Sequence, residues 1–561
     1  MLIDARTLRP GAVRTADVCV VGSGPAGVTV ALELLARGLT VAVLESGGTE
    51  ADPEADRLQL AADGLRFGTV DQISGTRRVG GNATIWSVQI GDGRRGLRLV
   101  PLAPSDLEAR AWLPGSGWPI TFADLEPGFR RAQELFGLTP TGYDAAAWEA
   151  PGARRLPLDD AVVRSDVFQF AARDEFAARH VQALAAHPSC TLYHHAYVVE
   201  LRTDPGATRV TEVRAMSTPG SEVLFRAPTV VVAAGGLATT QLLLSSDDVR
   251  RGLERAGGRR GTDPLGRNFM DHPLVDGGVL EPADRSLVDD MALYDLRTVE
   301  GVPVMGHLRI GDDAVRSEPV AQLSSMFFPR HASQREPDAA APGAVRAEEG
   351  RRSAVAVRDA LRGRRLPRAA DLWGAVSRLD AVLSRAVHSG GRMSTYVGHG
   401  GWSTYRRPSR KFDHLRVLHQ AEQGPRPENR VVLGHQSDAF GVRRLAVEWS
   451  WTADDQAAVT RAHQLVADAV RRAGLGELRL AGAAVAPAVL GSSTNHYLGT
   501  TRMSTDPATG VVDEHLRVHG LENLYVASTS VFPTGGFANP TLSLVALAAR
   551  LAEDLGMVLG L

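Results

Sequence analysis

The stretch Asp17-Val18-Cys19-Val20-Val21-Gly22-Ser23-Gly24-Pro25-Ala26-Gly27 decides the fold. A short apolar run meets a glycine-rich turn, a helical pattern follows over Val28–Ala36, and a second apolar run, Thr40–Leu44, ends at Glu45. Strand, turn, helix and strand in that order form a dinucleotide-binding unit of the Rossmann type. Each glycine has its task there: a tight turn, close approach of a pyrophosphate, and close helix–strand packing. The pyrophosphate is expected on the helix N-terminus, around Gly22, Gly24, Pro25, Ala26 and Gly27. Glu45, with Ser46 beside it, is expected at the adenosine ribose, where its charge repels a 2′-phosphate.

A chain of 561 residues is long enough for two domains. Hydrophobic content of 44% and charge of 22% are ordinary globular values, and a formal charge of −2 gives no electrostatic reason to expect nucleic acid or an anionic membrane. Lys411 is the lone lysine, which leaves little room for Schiff-base chemistry. Cys19 and Cys190 cannot build a disulfide framework or a cysteine metal site, and no metal is expected. The N-terminus lacks the apolar segment of a signal peptide, and no uncharged apolar stretch reaches membrane-spanning length, so a cytoplasmic location is expected. No G-x-S-x-G hydrolase motif is present.

Further fingerprints follow. Arg78-Val79-Gly80-Gly81-Asn82-Ala83-Thr84-Ile85-Trp86-Ser87 pairs glycines before a mixed run, and Ala233-Ala234-Gly235 closes a strand read over Glu222–Ala234 before a helix. Thr191–Leu201 reads as another strand. Near the C-terminus His496 lies in Asn495-His496-Tyr497-Leu498-Gly499-Thr500-Thr501-Arg502-Met503. Then comes Ser528-Thr529-Ser530-Val531-Phe532-Pro533-Thr534, and Asn539-Pro540-Thr541 opens the apolar run Leu542–Ala549. Asn is a preferred N-cap and Pro is favoured at the first helical position, so Asn539 is expected to cap a helix. The positive end of that helix suits a ring that becomes anionic on reduction.

These C-terminal blocks, with Asp506–Asp513 and Arg517–Val526, resemble the signature of the glucose-methanol-choline (GMC) oxidoreductases, FAD enzymes that oxidise alcohols. The resemblance implies an α/β fold, α+β overall. A discontinuous Rossmann-like FAD-binding domain (residues 1–100, 180–275 and 505–561) joins a sheet-based substrate domain (residues 101–179 and 276–504). It implies that His496 is the base facing the substrate hydroxyl, with Asn539 as its orienting partner. FAD contacts are expected from Arg78, Gly80, Gly81, Thr84, Trp86 and Ser87, from the backbone at Val198 and Val199, and from Ala233, Ala234 and Gly235. Ser528, Thr529, Asn539, Pro540 and Thr541 complete the set.

Gly80–Ser87 is similar to a segment of the pyranose-oxidase branch in which a histidine can carry FAD covalently. Ile85 stands at that position and cannot, so the FAD is expected to be non-covalent. The branch implies a sugar, glycoside or cyclitol oxidised at a secondary hydroxyl, with O2, a quinone or a protein as electron acceptor. A non-sugar alcohol, or a lyase resembling the hydroxynitrile lyases of this fold, stands as the alternative. His272, in Leu265–Pro273, reads as a structural histidine. The stretch 337–385 reads as a solvated helical insertion with interleaved arginines and acids.

Overall fold

The computed structural model describes residues 1–57, 75–91, 93–257, 263–331, 400–480 and 494–560; the stretch 337–385 lies outside them. Val18–Val21 and Val41–Leu44 are buried at every position, as strands covered on both faces must be. They are parallel neighbours, which requires a crossover, and the helix Pro25–Ala36 supplies it. The completed sheet is parallel throughout, in the order Leu2–Asp4, Cys190–His194, Val41–Leu44, Val18–Val21, Thr229–Val232, Leu524–Val526. Its strands come from three distant parts of the chain. The C-terminal helix Thr541–Val558 packs between Pro25–Ala36 and the helix Phe122–Phe136.

A second, antiparallel sheet has nine strands. Its main path runs Gly476–Arg479, Leu274–Pro282, His414–Ala421, Leu323–Arg330, Val302–Ile310, Val163–Ala172, Arg95–Leu99, Val88–Gln89. The helix Ala453–Arg472 shares a core with it. A capping box starts that helix: the Thr452 hydroxyl accepts from the Asp455 N–H, and Asp455 accepts from the Thr452 N–H. A four-stranded sheet, Ala12–Thr15, Ser221–Arg226, Val210–Thr218 and Tyr197–Thr203, flanks the parallel one.

Three local readings change. Thr191–Leu201 is two strands, Cys190–His194 and Tyr197–Thr203, because His195 takes φ +53° and breaks the ladder. Glu222–Ala234 is likewise split, into Ser221–Arg226 and Thr229–Val232, since Pro228 has no N–H to donate. The C-terminal helix starts at Thr541 with Pro540 as its N-cap residue, so Asn539 does not cap it.

One buried pair makes the fold acid-sensitive. His419 Nε2 lies 3.1 Å from His463 Nδ1. Burial, with the neighbouring His463, pushes His419 down to about 3, and burial pushes His463 down to about 4. Above pH 6.5 both rings are neutral, folded or unfolded. Below it the unfolded chain gains protons that the folded chain refuses, so stability falls as pH drops from the ordinary histidine value towards the depressed ones. At about 1.4 kcal/mol per pH unit and site, the loss reaches several kcal/mol by roughly pH 4.5. Unfolding midpoints measured across that window should fall steeply, and His419→Leu/His463→Leu should flatten the slope.

Candidate active site

Gly22 takes φ +107°, and a Cβ there would lie 2.4 Å from the Ala233 carbonyl oxygen. A Cβ on Gly27 would lie 2.0 Å from the Gly22 carbonyl oxygen. Only glycines let the turn, the helix and the returning strand approach this closely. Glu45 follows the strand Val41–Leu44 and is 5% exposed. Its carboxylate accepts from the Ser23 hydroxyl (2.7 Å), the Ser23 N–H and the Gly47 N–H (3.0 Å), tying the acid to the glycine turn.

A cavity of about 420 Å³ runs from this turn to the C-terminal loops. Its wall contains Gly22, Gly24, Pro25, Ala26, Glu45, Ser46, Gly81, Trp86, Ser87, Val198, Val199, Ala233, Ala234, Gly235, Thr529, Asn539, Pro540, Thr541 and His496. The remaining expected residues stand behind it. Gly27 is in the helix–strand contact; Gly80 donates its N–H to the Ser23 hydroxyl, and the Thr84 hydroxyl donates to the Gly81 carbonyl. Ser528 accepts the Ser530 N–H, and Arg78 reaches outwards to the Thr49 carbonyl. The backbone bridge of Gly48 to Arg78 fixes this alternation, so that Arg77 lines the cavity instead, over the Tyr197 ring at 4.4 Å. Val442 and Leu445 also line it, from a part of the chain with no glycine fingerprint.

At the far end His496 and Asn539 meet. Asn539 Oδ1 accepts from Arg98 Nε (3.1 Å), Arg98 Nη2 (2.9 Å) and Gln420 Nε2 (3.3 Å). With the oxygen so engaged, the amide NH2 is the edge facing His496 Nε2, 3.3 Å away. An amide NH2 only donates, so the network assigns Nε2 as the unprotonated nitrogen and places the ring proton on Nδ1. That proton is donated to His272 Nδ1 at 2.9 Å. His272 therefore carries its proton on Nε2, which faces the backbone at Gly535. Asp271 holds the pair in place: its Oδ1 accepts from the His272 N–H (2.7 Å), the His496 N–H (3.0 Å) and the Thr494 hydroxyl (2.8 Å).

Burial, the His272 ring and the Arg98 cation hold His496 well below the usual histidine range. Burial also lowers His272. His496 is thus neutral at physiological pH, and its Nε2 and the Asn539 amide nitrogen lie side by side on the cavity wall, 3.3 Å apart. A hydroxyl group that approaches both from the cavity, displacing their direct contact, can donate to Nε2 and accept from the Asn539 amide.

Beneath His272 lies a sealed ion pair. Arg110 donates bidentately to Glu422 (2.7 and 2.6 Å), and both side chains are 1% exposed. Glu422 also accepts the Gln322 N–H at 3.2 Å. Burial and the Glu422 charge push the neighbouring Asp106 carboxyl up to about 7.

Residues 425–548 match the family described as GMC oxidoreductase. Over nearly its whole length the chain is 24% identical to 6'''-hydroxyparomomycin C oxidase of Streptomyces lividus, across 97% of this chain and 92% of that protein. The chain is thus similar to GMC oxidoreductases, in its C-terminal part by the family signature and over its length by this relative. Shorter matches join it to paromamine 6'-oxidase of Streptomyces fradiae (32% identity, 26% of this chain, 27% of that protein). Another is C-glycoside 3-oxidase of Arthrobacter globiformis (33% identity, 23% of this chain, 25% of that protein).

FAD is the cofactor this similarity supports, and the residues of the cavity fit it. The helix Pro25–Ala36 has no side-chain cap, leaving its N-terminal donors for an anion. A Cβ on Gly24 or Gly235 would meet nothing within 4 Å, so both glycines border open space in the cavity, with room for a cofactor. Among the described residues no helix is long and apolar enough to cross a membrane.

Proposed function

We propose that this enzyme oxidises a secondary hydroxyl of a sugar, glycoside or cyclitol to a ketone, with His496 as base and non-covalent FAD. The observation that carries the reading is the His496 Nε2–Asn539 pair, set 3.3 Å apart on the wall of the cavity that the glycine turn also lines. A sugar-like substrate is supported by the relatives, whose names describe oxidation of aminoglycosides, a C-glycoside and a pyranose; the secondary position is supported by the C-glycoside 3-oxidase and the pyranose 2-oxidase among them.

The residues divide the work. Gly22–Ala26 and the helix they open would hold the pyrophosphate, and Glu45 would accept from the ribose. Val198 and Val199 would pass the adenine with their backbone. Gly81, Trp86, Ser87, Thr529 and the 539–541 turn would frame the ring. Bound FAD supplies the hydride acceptor. His496 Nε2 takes the hydroxyl proton, and the Asn539 NH2 steadies the oxygen while its carbon loses hydride. His272 fixes the His496 tautomer by accepting at Nδ1.

Two measurements test the reading. Turnover on a panel of glycosides and cyclitols, with O2 or benzoquinone as acceptor, should give a ring ketone visible by NMR; oxidation of simple primary alcohols alone would refute the substrate class. Acid precipitation should release yellow cofactor into the supernatant, since Ile85 cannot bond it. Colour kept in the pellet would refute a non-covalent FAD.

A further inference from the structure

Arg98 is a buried cation, 3% exposed, with no carboxylate beside it among the described residues. Every acceptor it meets is neutral. Nε and Nη2 both reach Asn539 Oδ1, Nη2 also reaches Gln420 Oε1, and Nη1 lies 2.7 Å from Met326 Sδ. Its guanidinium lies over the Phe168 ring at 4.4 Å, and Phe168 in turn stacks on His307 at 3.8 Å. Asn539 apart, these side chains belong to five strands of the nine-stranded sheet: Arg95–Leu99, Leu323–Arg330, His414–Ala421, Val163–Ala172 and Val302–Ile310. The sheet thus brings a lone positive charge to the back of an active-site amide. An unpaired buried charge is strongly unfavourable unless something offsets it.

We propose that Arg98 is a positioning residue for the alcohol oxidation: it locks the Asn539 amide in a single flip, NH2 towards His496, and sharpens that NH2 as a donor to the substrate oxygen. This rests on the reading of His496 and Asn539 given above. Gln420 Nε2 alone would bias the flip, so the charge has a separate consequence. A cation on the amide oxygen polarises the amide and strengthens its N–H donors. When the O–H bond breaks, the proton goes to His496 Nε2 and the electron pair stays on oxygen, facing the Asn539 NH2. The same cation disfavours a second positive charge on His496, which keeps that ring free to accept.

Few other groups act on the His496 ring. His272 faces it from the Leu265–Pro273 segment, Asn539 and then Arg98 from the other side, and Asp271 holds its backbone N–H. His307 lies beyond Arg98, itself held well below the usual range by burial, and Glu422 with Arg110 lies beyond His272.

The test uses the FAD-loaded protein with Arg98→Met and Arg98→Lys. Three readouts are followed: pH-resolved anaerobic flavin reduction, the imidazole ¹⁵N spectrum of resting enzyme with His496 assigned by its loss in His496→Asn, and the same rates in an Asn539→Ala background. Arg98→Met should slow reduction by roughly 10- to 100-fold, the scale of a charge-assisted hydrogen bond. It should also raise the acid limb of the profile and mix the His496 tautomers. Arg98→Lys should keep the low acid limb yet lose rate, because an ammonium cannot fork onto Oδ1. Neither change should slow Asn539→Ala further.

Wild-type limb and tautomer in Arg98→Met would overturn the proposal. So would a rate loss from Arg98→Lys that persists undiminished in Asn539→Ala, an outcome readable even if Arg98→Met does not fold. If His496→Ala retains an acid limb, the base is another residue and the functional reading fails. The tautomer of His496 still tests Arg98 in that case.

Discussion

His496→Ala is expected to slow anaerobic flavin reduction by roughly 10²–10⁴-fold, the usual yield of general base catalysis. The effect comes from one nitrogen, Nε2, left unprotonated by the donors around it. The pH profile sharpens the expectation. Only the neutral ring accepts a proton, so wild-type reduction falls as pH drops through the His496 pKa. An ordinary histidine would put that limb near 6.5, but burial, His272 and Arg98 hold His496 well below it. The wild-type rate should therefore stay level through neutrality and fall only in clearly acidic buffer. The limb should disappear in His496→Ala and survive in Asn539→Ala. Because Pro540, not Asn539, occupies the cap position, Asn539→Ala costs no helix cap. It strips Arg98 of two hydrogen bonds instead, and its stability loss should exceed the ~1 kcal/mol of a lost cap. A His496→Ala enzyme with wild-type rate and limb would move the base elsewhere.

Arg110→Met is expected to destabilise the protein by about 3–5 kcal/mol, the cost of stranding a buried charge. Glu422 would lose both hydrogen bonds of its bidentate partner at 1% exposure, with the already raised Asp106 as neighbour. Arg110 lowers the Asp106 pKa, so without it that carboxyl rises further and stays protonated to higher pH. Arg110→Met/Glu422→Met should recover most of the loss, since two apolar side chains remove the unpaired charge. Recovery should stop short of complete because the Gln322 N–H loses its acceptor. Denaturant midpoints of the three variants decide it. A single variant as stable as wild type would mean that water reaches the pair.

Much of the cofactor half was legible because its signals are local. The turn at Gly22–Gly27, the helix after it and the acid at Glu45 lie within thirty residues or so and define each other. His496 and Asn539 were legible only through resemblance to a family, since a histidine in a loop and an Asn-Pro pair are ordinary features by themselves. The supports of that pair were not legible at all. Arg98 reads as one more arginine in Gly93-Arg94-Arg95-Gly96-Leu97-Arg98, and the sheet, not the local sequence, sets it beside Met326 and Gln420, with the 539–541 turn packed against them. His272 read as structural, and it does order the site, but by a ring-to-ring bond to His496. The helix start was misread by one residue because Asn539 has both ends of its amide committed elsewhere. Arg77 and Arg78 show the limit in miniature, since one backbone bridge decides which neighbour faces the cavity.

Removal of hydride from a sugar-like alcohol at this site is read out by mixing the FAD-loaded protein anaerobically with glycosides and cyclitols and following the flavin absorbance. Bleaching is expected with at least one of them, in step with formation of one ketone per flavin. A flavin that stays yellow with every alcohol tried, in a protein that instead cleaves a cyanohydrin, would contradict it.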